Sequence, residues 1–133
     1  ISIFATDIDE EVLRFAKEGR YTKRSLGGMP KDMLDKYFSL KDDEYVISDK
    51  IKACVEFKKH NLLEDRYPCN MDLIVCRNVV IYFTEDAKTL VYSNFNRALK
   101  SRGMLFIGNT EQIVKSKELG FDIYKSFFYK KSM

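Results

Sequence analysis

The stretch that most constrains this chain is Asp72–Phe83, DLIVCRNVVIYF, because its character changes halfway along. Leu73-Ile74-Val75-Cys76 is an unbroken apolar run with β-branched residues, the pattern of a strand covered on both faces in a parallel sheet. Arg77 and Asn78 then interrupt it. A guanidinium and an amide at such a strand end face the crevice beyond the carboxyl edge, where open α/β sheets bind ligands. The competing reading is a solvated strand end with no ligand.

With 133 residues and 45% hydrophobic side chains, the chain is long enough for one domain with a sizeable core. The net charge of +3, with both signs interspersed, gives no argument for nucleic acid. No apolar run approaches the roughly 20 residues that cross a bilayer, so neither membrane insertion nor export is expected, and the expected location is the cytoplasm. Cys54, Cys69 and Cys76 are odd in number and lack ligand spacing, and His60 is the only histidine. Free thiols, no metal site and no Cys–His nucleophile are expected.

Ser2-Ile3-Phe4-Ala5-Thr6 reads as a buried strand, followed by Asp7-Ile8-Asp9. Asp9 suits a helix N-cap, Glu10 and Glu11 suit the positive end of the helix dipole, Val12, Leu13, Phe15 and Ala16 form an apolar side, and Gly19 closes the helix. A strand with an acid at its tip and a helix behind it is half of a nucleotide-binding unit, in which that acid grips ribose hydroxyls. Asp7 fits that role, and an acid in an ordinary turn looks the same. Residues 20–34 are irregular, with a short helix near Lys31–Tyr37 to follow. Phe38-Ser39-Leu40 and Tyr45-Val46-Ile47, joined through Asp42-Asp43, predict a β hairpin inserted into the domain over about 36–58.

Val55–Lys58 is strand-like and leads into His60-Asn61-Leu62-Leu63. An amide and a leucine at a strand tip could hold a purine ring, or simply make a turn. Thr84 caps a helix with Glu85 and Asp86 in its first turn, basic residues Arg97, Lys100 and Arg102 near its end, and Gly103 as its stop. Ala87, Leu90, Val91, Phe95, Ala98 and Leu99 give that helix one buried face. Met104–Ile107 is a further buried strand ending at Gly108-Asn109-Thr110-Glu111, and Phe121–Tyr124 with Phe127–Tyr129 form a closing antiparallel pair.

Taken in order, ATDID from Ala5, GRYT from Gly19, MLDKYF from Met33, HNLL from His60, CRNVVIYF from Cys76 and GNTE from Gly108 resemble the CheR family of chemotaxis receptor methyltransferases. These are protein-glutamate O-methyltransferases, and the resemblance runs over essentially the whole chain. It implies a Rossmann-like α/β sheet of the class I methyltransferases, mostly parallel with an antiparallel strand near its end. It implies S-adenosylmethionine as cofactor, leaving as S-adenosylhomocysteine. By position, Asp7 falls on the ribose contact, Asn61 and Leu62 on the adenine, Arg77 and Asn78 on the tip of the central strand, and Tyr82 beside the transferred methyl. The implied partner is the cytoplasmic domain of chemotaxis receptors. The family's Gly-rich first loop, its essential upstream arginine and its N-terminal helical domain would lie before residue 1. The hairpin near Asp42 is shorter than in members that dock on a receptor's tethering peptide.

A partial domain of this kind should by itself bind the cofactor weakly or not at all, and should either aggregate or pair with its upstream segment or a second chain, since two strand edges would lack partners. The acceptor glutamate has an unperturbed pKa of about 4.3 and is an ionised nucleophile at neutral pH, so no general base is required. Tyr82 could orient that carboxylate or cover the methyl, or be an aromatic packing residue. The rival readings are a methyltransferase acting on RNA or a small molecule, and a catalytically inactive α/β module that binds a receptor or another protein.

Overall fold

In the computed structural model, which describes residues 1–133, the chain divides into two compact units, Ile1–Asn61 and Leu62–Met133. The first runs β1 (Ile3–Asp7), α1 (Glu10–Glu18), β2 (Arg20–Thr22), α2 (Lys31–Tyr37), β3 (Phe38–Lys41), β4 (Glu44–Ile47), α3 (Asp49–Lys52) and β5 (Val55–Lys59). β1 and β5 pair in parallel, with Ile3 opposite Val55 and Asp7 opposite Lys59. The expected burial of β1 is not met: in a sheet of two strands Ile3 stays exposed and Phe4 and Ala5 are half-buried.

Local chemistry sets the ends of α1 as the sequence predicts. Asp9 accepts hydrogen bonds from the Glu11 and Val12 N–H groups, and Gly19 ends the helix in the left-handed region at φ 64°. A Cβ at Gly19 would also lie 2.5 Å from Ile47 Cγ2, so only glycine fits there. Of the apolar side of α1, only Leu13 is buried, whereas Val12 and Phe15 remain exposed. Phe15 instead meets Tyr21 edge-on at 6.1 Å.

The predicted hairpin is present as β3 and β4, with Asp42 and Asp43 at φ 48° and 66°, the two positive φ values of a type I′ turn. Arg20–Thr22, read from sequence as irregular, forms β2 and completes a three-stranded antiparallel sheet in the order β2-β4-β3. That sheet lies within Arg20–Ile47, and β5 belongs with β1.

The second unit runs β6 (Met71–Cys76), a single 3-10 turn at Val80–Tyr82, α4 (Glu85–Ala98), β7 (Leu99–Ile107), β8 (Phe121–Lys125) and β9 (Phe128–Lys131). Its sheet has the order β6-β7-β9-β8, with β6 and β7 parallel and the remaining pairs antiparallel. Thr84 caps α4 by accepting from the Ala87 N–H. Val91, Tyr92, Phe95 and Ala98 bury one face of α4, in a core with Val80, Leu105, Ile107 and Phe121. Leu90 is exposed.

Two expectations fail here. The helix ends at Ala98, and Leu99–Gly103 belongs to β7, where Leu99 lies opposite Met71 and Arg102 takes φ 65°. Gly103 is therefore no helix stop. In β6, Ile74 is half-buried and Cys76 buried, but Leu73 and Val75 on the other face are 52% and 58% exposed. The strand is covered on one face only. No helix of the chain is long and apolar enough to cross a membrane.

Candidate functional site

In the first unit the parallel ladder brings two candidate residues to one edge. Asp7 ends β1 opposite Lys59, and the His60 N–H donates to the Asp7 carbonyl at 2.9 Å, so the ladder runs one rung past β5 and delivers Asn61 next to the tip that carries Asp7. The Asp7 side chain is half-buried, and its Oδ1 accepts the Asp9 N–H at 2.9 Å. That bond turns the chain from β1 into the cap of α1. It leaves Oδ2 and the second lone pair of Oδ1 as acceptors at the carboxyl end of a parallel strand. Such an acceptor-only group suits vicinal hydroxyls. His60 is buried, in keeping with a packing role.

In the second unit Leu62 is half-buried against the core, and its carbonyl accepts the Tyr67 hydroxyl at 2.7 Å. The Tyr67 ring lies 5.6 Å from that of Phe95, and burial pushes its hydroxyl up to about 12. Tyr67 is thus a neutral donor that fixes the Leu62 backbone. At the tip of β6, Arg77 and Asn78 are both exposed. The Arg77 guanidinium lies 5.4 Å from the centroid of the Phe106 ring, and that ring stacks on Phe128 at 4.4 Å with planes 12° apart. Asn78 takes φ 59°, a conformation that asparagine tolerates better than most residues.

The next turn explains where Tyr82 goes. Val80 is fully buried, and the 3-10 turn from Val80, closed by the Phe83 N–H on the Val80 carbonyl at 3.0 Å, carries Tyr82 outward to 82% exposure. Tyr82 does not pack within this unit. The packing is done by its neighbours Val80 and Phe83.

Sequence reasoning gave no role to Glu111. It is buried, its Oε2 accepts from the Gly108 N–H at 2.6 Å and from the Asn78 N–H at 3.4 Å, and its Oε1 is buried without a hydrogen-bond partner. Burial, and secondarily the Glu111 charge, push the Cys76 thiol up to about 12. Burial followed by the same charge pushes the Tyr92 hydroxyl up as well. Both stay protonated at neutral pH. The sequence signal for Glu111 was its place in the GNTE segment, an acid three residues beyond the glycine that follows β7.

A family model described as the CheR methyltransferase, SAM binding domain, matches residues 1–127. The chemotaxis protein methyltransferase of Listeria monocytogenes is 38% identical over 130 residues, covering 98% of this chain and 50% of that protein. That of Borreliella burgdorferi is 39% identical over 124 residues, covering 91% of this chain and 44% of that protein. The chain spans about half the length of the curated relatives it matches. Among solved structures, a TehB-like SAM-dependent methyltransferase from Corynebacterium glutamicum aligns with a TM-score of 0.55 at 16% identity, over 97% of this chain and 65% of that one. A protein described as a possible exported protein from Bordetella parapertussis aligns with a TM-score of 0.61 at 13% identity, over 99% and 54%. At such identities these likenesses speak to the fold alone, and the fold is the expected α/β fold of the SAM-dependent methyltransferases.

Proposed function

The chain belongs to the family of CheR methyltransferase SAM-binding domains, and from that premise we propose that it serves a protein-glutamate O-methyltransferase that esterifies glutamates on the cytoplasmic domain of chemotaxis receptors. The cofactor of this family is S-adenosylmethionine. The observation that carries the reading is the position of the candidate side chains at carboxyl ends of parallel strands: Asp7 and Asn61 at β1 and β5 in one unit, Arg77 and Asn78 at β6 in the other. That is where α/β sheets take their ligands.

Asp7 offers acceptors to the ribose hydroxyls. Asn61 presents an amide edge and Leu62 an apolar contact to the adenine. Arg77, whose guanidinium lies over the Phe106 ring, offers its N–H fork to a carboxylate. When bound, S-adenosylmethionine supplies a methyl group on a positively charged sulfur. The acceptor glutamate is ionised at neutral pH, so this chain's residues need move no proton. Their task is to bind, align and exclude water. Tyr82, exposed on a turn anchored by Val80, is free to meet the acceptor carboxylate through its hydroxyl. The product ester removes one negative charge from the receptor. The place of action is the cytoplasm, where that receptor domain lies.

The test is transfer of a labelled methyl group from S-adenosylmethionine by the full-length protein to purified receptor cytoplasmic domain. Label in a base-labile ester on glutamate is the expected result. Cofactor binding with label appearing only in RNA or a small molecule would replace the substrate, and no cofactor binding at all would leave a protein-binding module.

A further inference from the structure

We propose that Glu111 is a positioning residue, whose carboxylate holds the tips of β6 and β7 so that Arg77 and Asn78 meet the cofactor in a fixed geometry. This rests on the reading above that Arg77 and Asn78 bind S-adenosylmethionine. The last rung of the parallel ladder between the two strands pairs Cys76 with Ile107. Beyond it the strands part, and the N–H groups of Asn78 and Gly108 have no opposing carbonyl. Unpaired backbone donors of this kind are costly wherever water is excluded. Glu111 supplies the missing acceptor. Its own N–H closes a turn on the Gly108 carbonyl at 3.1 Å, which folds its side chain back over the tips. Oε2 then sits 2.6 Å from the Gly108 nitrogen and 3.4 Å from the Asn78 nitrogen, one oxygen for two strand ends.

The surroundings are built to that arrangement. A Cβ at Gly108 would lie 2.8 Å from Glu111 Oε2 and 2.9 Å from Asn78 Oδ1, so a side chain there would displace both groups. Asn78 holds the left-handed φ of 59° in the residue directly after Arg77, so loss of the Oε2 contact lets that residue relax to negative φ and swings both side chains. Glu111 Oε1 is buried with no partner, an arrangement that opposes stability and is not what a purely structural cap calls for.

The test uses the full-length protein as parent, Glu111→Ala, Glu111→Gln and Asn78→Ala, with S-adenosylmethionine affinity by calorimetry and exchange of the Asn78 and Gly108 amides by NMR in the absence of cofactor. In the parent both amides are protected. Glu111→Ala should speed their exchange at least tenfold and weaken cofactor binding about tenfold. Glu111→Gln retains an acceptor oxygen and should restore affinity to within about threefold of the parent. A folded Glu111→Ala protein with parental affinity overturns the proposal. Should that variant fail to fold, unprotected Asn78 and Gly108 amides in the parent overturn it just as well. Parental affinity in Asn78→Ala would overturn the underlying site reading, and the positioning role with it, whereas a weakened Asn78→Ala beside an unaffected Glu111→Ala would overturn the positioning role alone.

Discussion

Asp7 carries two separable loads, and substitutions can part them. Its Oδ1 accepts the Asp9 N–H at 2.9 Å, which shapes the turn from β1 into α1, and its remaining acceptors face the proposed ribose. Asp7→Asn keeps a carbonyl oxygen for the Asp9 N–H but replaces the second oxygen with a donor and removes the charge. Hydrogen bonds to a charged acceptor contribute roughly 1.5–3 kcal/mol, and about 1.4 kcal/mol is a factor of ten in affinity. Asp7 is only half-buried, so the lower half of that range applies. Asp7→Asn in the full-length protein should therefore weaken S-adenosylmethionine binding about tenfold to fortyfold, with thermal stability essentially that of the parent. Asp7→Ala should show the same loss of affinity and a further cost of about 1 kcal/mol in stability, because the turn loses its acceptor as well. Calorimetric titration beside denaturant unfolding separates the two quantities. Parental affinity in Asp7→Asn would refute the placement of the ribose. Equal stability of the Asn and Ala variants would refute the claim that the side chain shapes the turn.

Tyr82→Phe should lower the single-turnover methylation rate far more than cofactor affinity, since the side chain is exposed rather than packed in the core and the proposed function gives its hydroxyl to the acceptor; equal effects on both would make Tyr82 part of the cofactor site. Val80→Ala removes two methyl groups from a fully buried position and should cost about 2–3 kcal/mol, measured by urea unfolding. Cys69 is exposed and Cys76 buried, so a thiol reagent at neutral pH should label Cys69 and spare Cys76 until the chain unfolds, as read by mass spectrometry of peptides. With the Cys76 thiol held at about 12 against an ordinary 9.0, the folded state keeps a proton that the unfolded chain releases, so the contribution of Cys76 to stability is full below about pH 9 and is lost progressively toward pH 12. Cys76→Ala should flatten that part of a stability–pH curve.

What the sequence made legible was mostly decided by neighbours in the chain. Asp9, Gly19 and Thr84 act on backbone groups within a turn of themselves, and the Asp42-Asp43 pair adopts the positive φ values that its own hairpin demands. The end of α4 was misread because Leu99–Gly103 carries the marks of a helix terminus, basic residues and then glycine, while its structure is set by a distant strand: Leu99 pairs with Met71 and Met104 with Leu73. β2 escaped notice for a similar reason. Three residues have too little pattern, and Arg20–Thr22 is a strand because β4 offers it an edge. Glu111 illustrates the same limit at the candidate site, since its partner Asn78 lies 33 residues away and nothing in a single acid announces that distance.

The central stretch itself was legible in kind but not in environment. An unbroken apolar run states that both faces of a strand can be buried, and here only the Ile74 and Cys76 face is. On the other face Leu73 lies opposite Met104, Val75 opposite Phe106, and Phe106 opposite Phe128, so the open side of this sheet is apolar as well. Alternation along β6 puts Arg77 at the edge of that same side, two residues beyond Val75, and its guanidinium lies over the Phe106 ring, which itself stacks on Phe128. An arginine stacked on an aromatic face keeps its in-plane N–H groups for a further partner, because the ring takes up its flat face only. The apolar run and the cation that ends it therefore act together: the half-buried Phe106 ring lies 5.4 Å from the guanidinium, and the N–H groups of Arg77 not turned to that ring remain for the carboxylate that the proposed function assigns to them.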